Sequence, residues 1–213
     1  MSDLQTKIKS EIWVPATWEE YIQITENPAY EKAKCYYHNG HLRIEMTPLG
    51  HDHGCDHTII TVAVNLFCIV KHIPIKGITN TTYRQTGVQE CQPDISYYIG
   101  NNSQAIPWGT SIIDLDRYPS PELVIEVANT SLADDQGAKR LLYEDLQVKE
   151  YWIVDVANVR MIAFAIENGG SRRISESLVL PGLGMPVLEE ALRRSRTIDQ
   201  SQVGAWLLQQ FQQ

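Results

Sequence analysis

The stretch Leu123-Val124-Ile125-Glu126-Val127 is apolar at every position but one. A run without the in-and-out alternation of a half-exposed strand reads as a central strand covered on both faces. Its single carboxylate, Glu126, is therefore directed at the interior, unless it ends the strand solvated or salt-bridged. Tyr151-Trp152-Ile153-Val154-Asp155-Val156 is a second core strand, and helical patterns lie between and around the two. That combination makes the fold class α/β, a mixed central β-sheet flanked by helices. Asp94, in Gln92-Pro93-Asp94-Ile95-Ser96-Tyr97-Tyr98, opens another strand, or serves there as a turn residue. Carboxylates buried on neighbouring strands cost several kcal/mol unless a cation compensates them. A divalent metal is the cation that two converging carboxylates suit best.

The helix expected over Leu132 to Val148 adds a charge of the opposite sign. At 100° per residue, Leu132, Ala138, Leu142 and Leu146 define one face. Asp135 and Lys139 fall inside that arc, Tyr143 lies at its edge, and Gln136, Arg140 and Glu144 point away. A lysine on the core side is either a structural ion pair with Asp135, four residues earlier, or an ammonium aimed at a site. Convergence of Asp94, Glu126 and Lys139 on one place favours the site over independent structural charges.

Elsewhere the chain is punctuated clearly. Thr17-Trp18-Glu19-Glu20 is a capping box that opens a short helix to about Glu26, with Pro28 ending it. Ala33 to Tyr37 and Leu42 to Met46 flank His38-Asn39-Gly40-His41, a β-hairpin built on Asn-Gly. Pro48-Leu49-Gly50 begins a loop carrying His51, His53 and His57, and Asp56 to Lys71 follows as a helix. Strands are expected at Ile75 to Thr79 and Thr81 to Gln85. A long polar loop covers Gly100 to Ser120, and outer strands follow at Val159 to Ile166 and Ser175 to Leu180. Helices near Pro186 to Arg193 and Ile198 to Phe211 close the chain.

At 213 residues the expectation is one domain, 1–213, with its core at about 18–188. The longest apolar candidate for a membrane span, Thr58 to Val70, is well short of the roughly 20 residues required. No charged segment followed by an apolar run opens the chain, and Cys35, Cys55, Cys68 and Cys91 form no C-x-x-C pair. Free thiols, a reducing compartment and a cytoplasmic protein are the expectation. The net charge of −8 counts against an electrostatic grip on nucleic acid, but leaves room for a local basic groove. The outer strands and terminal helices are compatible with a homodimer.

His51-Asp52-His53-Gly54-Cys55-Asp56-His57 is similar to the H-x-H-x-D-H pattern of binuclear zinc hydrolases, but its final Asp-His pair is displaced by one residue. Spacing decides which side chains converge on a metal, so zinc is the lesser reading. The greater one places His53 or His57 along a cleft at the start of the helix.

Pro93-Asp94, Glu126, Asp135…Lys139…Tyr143 and Val148-Lys149-Glu150-Tyr151-Trp152-Ile153-Val154-Asp155 together resemble the Uma-type restriction endonuclease family, from about Trp18 to Leu188. That family belongs to the restriction-endonuclease-like superfamily, with its P-D…(D/E)-x-K core. The superfamily's ordinary lysine would fall at Ala128. In the Uma-type pattern it has migrated to the following helix, where Lys139 stands. Gln147 replaces a more usual glycine, and Tyr36 stands where family members often carry glutamate, with Glu45 as a substitute acid or an outward strand residue.

The resemblance implies a restriction-endonuclease-like fold with an N-terminal helix and hairpin, and an endonuclease acting on DNA. Asp94 and Glu126 would ligate Mg²⁺, with Mn²⁺ as a substitute and a backbone carbonyl such as that of Val127 assisting. Lys139 would orient the attacking water or neutralise the transition state, and Glu45, His53, Asp135 and Tyr143 would be additional site residues. A nuclease fold kept only as a binding or assembly module is the non-enzymatic alternative.

Overall fold

In the computed structural model, residues 11–46 and 50–212 are described. The segment before them and the loop expected to begin at Pro48-Leu49 lie outside those residues. β1 (Val14–Pro15) leads to α1 (Trp18–Thr25), whose Thr17 and Glu20 form the capping box reciprocally. β2 (Lys34–His38) and β3 (His41–Glu45) make the hairpin, with Asn39 and Gly40 at φ of 48° and 71°, as the two-residue turn requires. α2 (His51–Val70) is followed by β4 (Ile75–Thr79), β5 (Thr82–Gln85), β6 (Gln89–Cys91) and β7 (Ile95–Ile99). β8 (Ile112–Asp114) lies within the segment expected to be a polar loop, after a 3-10 turn at Gly100–Gln104. β9 (Leu123–Ala128) leads through α3 (Leu132–Gln136) and α4 (Ala138–Asp145) to β10 (Glu150–Asp155). β11 (Arg160–Glu167), β12 (Gly170–Ile174), α5 (Met185–Arg194) and α6 (Gln200–Phe211) complete the chain.

These elements form two compact units. One comprises Met1–Pro48, Thr81–Gln92 and Gly109–Tyr118, and carries a mixed six-stranded sheet in the order β1-β3-β2-β6-β5-β8. α1 packs Tyr21 and Ile24 with Cys35, Tyr37, Leu42 and Ile44. Within this unit the buried Glu90 accepts from the hydroxyl of Tyr21 at 2.7 Å and pairs with the Arg84 guanidinium. Tyr36 is fully buried, its hydroxyl donating to the carbonyl of Gln92 at 3.1 Å.

The other unit comprises Leu49–Asn80, Pro93–Trp108 and Pro119–Gln213, with a mixed sheet ordered β12-β11-β10-β9-β7-β4. Only β9 and β10 in it are parallel, joined by α3 and α4. Leu123, Ile125 and Val127 of β9 point with Trp152 and Val154 of β10 into a core shared with α2, α5 and α6. By strand alternation, Val124, Glu126 and Ala128 face the other side of the sheet, where the β9–β10 connection lies.

Four expectations are corrected. α2 begins at His51, not Asp56, so its three histidines are helical. At 20 residues it is long and apolar enough to cross a membrane, yet Ile59, Ile60, Ala63, Val64, Phe67 and Cys68 are all buried, as in a core helix. The helix expected over Leu132 to Val148 is broken at Gly137, where a Cβ would meet the carbonyl oxygen of Ala133 at 3.0 Å. The outer strand expected at Ser175 to Leu180 is instead β12, because Asn168-Gly169 turns tightly enough for pairing to resume at Gly170. The segment 177–179 is a loop pinned by the buried carboxylate of Glu150. That carboxylate accepts from Ser177 Oγ at 2.9 Å, Val179 N at 3.0 Å and Trp152 Nε1 at 2.9 Å.

Gln147 follows α4 with φ of 56°, in the left-handed region, and its N–H bonds the carbonyl of Glu144 at 3.0 Å. A left-handed residue after a helix is most often glycine, because a side chain there costs about 1 kcal/mol. Gln147→Gly is therefore expected to raise the unfolding free energy by about 0.5–1 kcal/mol, read from the urea midpoint. An unchanged or lowered midpoint would contradict this account of the turn.

Candidate active site

The β7–β9 register, Ile95 opposite Ile125, continues one step further to set Asp94 opposite Glu126. Directly opposed residues share a face of the sheet, so the two acids meet by backbone geometry alone. The strands also bind each other's carboxylates. Val127 N donates to Asp94 Oδ2 at 2.8 Å, and Asp94 N donates to Glu126 Oε2 at 3.3 Å. Asp94 Oδ1 lies 3.6 Å from His53 Nε2, while Glu126 Oε1 accepts from the Tyr143 hydroxyl at 2.6 Å. One oxygen of each acid is thus fixed by its neighbouring strand, and the other meets side chains from α2 or α4.

Lys139 comes from the first turn of α4. Its Nζ is 3.9 Å from Glu126 Oε1 and 3.1 Å from Asp135 Oδ1. Asp135 is held in turn by Ser131, whose Oγ donates to Oδ2 at 2.6 Å. The interruption at Gly137 does not separate Asp135 from Lys139, and the ion pair spans it. The two alternatives for this lysine both describe it: it pairs with Asp135 and it points at the acids.

Asp94, Glu126, Asp135 and Lys139 are each no more than 3% exposed. Three carboxylates and one ammonium thus share a site almost closed to water, with the imidazole of His53 on its α2 side. Transfer of unbalanced charge into a protein interior costs several kcal/mol per ion. The carboxylate oxygens of Asp94 and Glu126 are the hard donors that Mg²⁺ prefers.

The histidine motif is divided by the helix that carries it. His53 and His57 share one face, their rings 6.4 Å apart, and His57 Nε2 lies 3.3 Å from the backbone carbonyl of Asp94. Between the two candidates for the cleft, His53 is the one that meets the Asp94 carboxylate. His51 projects from the opposite side, its side chain 86% exposed. Histidines two apart on a helix diverge by about 200°, and among the described residues no three His, Cys, Asp or Glu side chains form a metal-holding group. The geometry gives the zinc reading no ligand set.

Glu45 belongs to the other unit, where its carboxylate accepts from Arg43 Nε at 2.9 Å. Ser131 was not singled out from the sequence as part of this cluster. Its place four residues before Asp135 was the available signal.

A family model described as "Uma2: Putative restriction endonuclease" matches residues 18–201. The solved structure of "a putative nuclease belonging to DUF820 from Anabaena variabilis ATCC 29413" is similar, with a TM-score of 0.56 at 16% identity. The match covers 91% of this chain and 100% of that one. At that identity the likeness shows a shared fold. No curated protein matches in sequence.

Tyr143 is fully buried and donates a charge-assisted hydrogen bond to Glu126. Tyr143→Phe removes the donor and keeps the ring packed on Tyr151, 4.7 Å away. The expected loss is about 2 kcal/mol of unfolding free energy, measured by urea titration. A change within experimental error would show that the hydroxyl does not hold Glu126.

Proposed function

This chain belongs to the family described as "Uma2: Putative restriction endonuclease", and from that membership we propose that it is a metal-dependent endonuclease hydrolysing the phosphodiester bonds of DNA. The observation that carries the proposal is the buried pair Asp94 and Glu126, opposed across two strands, with the ammonium of Lys139 beside them. Two opposed buried acids supply the oxygen ligands a divalent-cation site uses, and Lys139 is the residue that the resemblance assigns to the family's migrated lysine.

Asp94 and Glu126 would hold Mg²⁺ or, as a substitute, Mn²⁺, with the carbonyl of Val127 assisting. When bound, the ion polarises the phosphoryl group and makes a water nucleophilic near neutral pH. The protein's own groups do the rest. Asp135, fixed by Ser131, holds Lys139 in one rotamer, so that its ammonium can orient the attacking water or offset charge developing on the phosphate. Tyr143 keeps Glu126 in place, and His53 flanks Asp94 on the side of α2. The reading includes a cytoplasmic location, in keeping with four free cysteines, and a homodimer for cutting both strands.

A second reading, a nuclease fold retained as a binding or assembly module, is favoured by the net charge of −8. Metal titration separates the two. Under the endonuclease reading, Mg²⁺ and Mn²⁺ raise the melting temperature with occupancy, and Asp94→Asn abolishes the response. Lys139→Met keeps the stem packed and is expected to slow nicking of supercoiled plasmid by about a hundredfold. A melting temperature indifferent to both ions would overturn the metal site. Unchanged nicking by Lys139→Met would remove that residue from the chemistry.

A further inference from the structure

The sheet face that carries Glu126 holds a second group of charged side chains further along. Glu126 stands opposite Ile153 on β10, and Ile153 opposite Ile162 on β11. Two residues away, Val124, Tyr151, Phe164 and Arg173 make another row of opposed residues from β9 to β12. Opposed residues share a face, so Phe164 and Arg173 project from the same side of the sheet as Glu126. On that side α4 packs Tyr143 against Tyr151. Adjacent residues of α4 then reach to two places, Lys139 to Glu126 and Arg140 to Phe164.

Two guanidiniums share the half-buried ring of Phe164. The guanidinium carbon of Arg140 lies 5.4 Å from its centroid and that of Arg173 5.2 Å. Arg140 is anchored, its Nη1 donating to Glu144 Oε1 at 2.9 Å and to Ser171 Oγ at 2.6 Å. Arg173 is exposed and, among the described residues, pairs with no carboxylate. The acid of the β11–β12 hairpin, Glu167, lies instead 3.9 Å from Arg172, which alternation puts on the opposite face. Like charges held this close repel, and an anion beside them offsets the repulsion. Stacking on a ring fixes the plane of a guanidinium and leaves its N–H edge for bidentate binding of a phosphate.

We propose that Arg173 and Arg140, held by Phe164, form a subsite for the phosphate backbone of the DNA substrate, away from the bond that is cut. At ordinary sheet spacings, three strands across and two residues along put Arg173 about 16 Å from Glu126. At about 3.4 Å per phosphate, that is about five phosphates along one strand of a duplex. Contacts of this kind set the register of the substrate and carry no base preference. The proposal rests on the endonuclease reading above and adds the direction in which the substrate strand leaves the acids. It also supplies the local basic surface that a chain of net charge −8 needs to hold a polyanion.

The test is fluorescence anisotropy of two labelled duplexes of unrelated sequence, titrated with the full chain in EDTA over a series of salt concentrations. Arg173→Gln should weaken binding to both duplexes equally and reduce the slope of log Kd against log salt by about 1. Arg172→Gln removes the same charge from the other face of β12 and should keep the parent slope. A slope unchanged in Arg173→Gln, or reduced as much in Arg172→Gln, would overturn the proposal. If the parent chain still nicks plasmid, that result overturns the subsite alone. A parent chain that neither binds duplex nor nicks plasmid would overturn the endonuclease reading together with it.

Discussion

The opposition of Asp94 and Glu126 across β7 and β9 is the constraint around which the second unit is organised. Two carboxylates at adjacent strand positions, almost wholly removed from water, are tolerable only if donors and cations reach them. The strands supply backbone N–H groups, α4 supplies Tyr143 and Lys139, and α2 supplies His53. Each contributor needs its own support. Lys139 is set by Asp135, Asp135 by Ser131, and the turn carrying His53 by the Asp56–Arg196 pair. The break at Gly137 joins this scheme, since the Asp135–Lys139 pair closes across it.

Structure and chemistry therefore share the same residues. Replacing the cluster by well-packed apolar side chains of equal volume is expected to cost the fold little, as is common for buried ion pairs. The first unit offers a contrast in Glu90, which is also buried but receives both Tyr21 and the Arg84 guanidinium. There a single buried acid is matched by a single cation.

Much of this was legible in the sequence wherever one local rule dominated. The capping box at Thr17, the Asn-Gly hairpin, and the continuous apolar runs of β9 and β10 translated directly into elements. Asp94, Glu126, Asp135, Lys139 and Tyr143 emerged from helical phase and strand position together, and the fold brings all five into one cluster. What stayed hidden depended on partners distant in sequence. β6 and β8 are three residues each, too short to show a period, and exist because neighbouring strands pair with them. The loop at 177–179 looks like a strand until Glu150, far earlier in the chain, binds its backbone. The polar residues His51, Asp52, His53 and Asp56 made the start of α2 look like a loop. Tertiary contacts of His53 and Asp56 hold that turn helical instead.

The most direct test of the central claim is anomalous diffraction from crystals of the protein grown or soaked with Mn²⁺. The account predicts a single strong peak within coordination distance of carboxylate oxygens of both Asp94 and Glu126, with the Lys139 ammonium beside it. A chain saturated with Mn²⁺ that shows no density between those two acids, or binds the ion elsewhere, would contradict it.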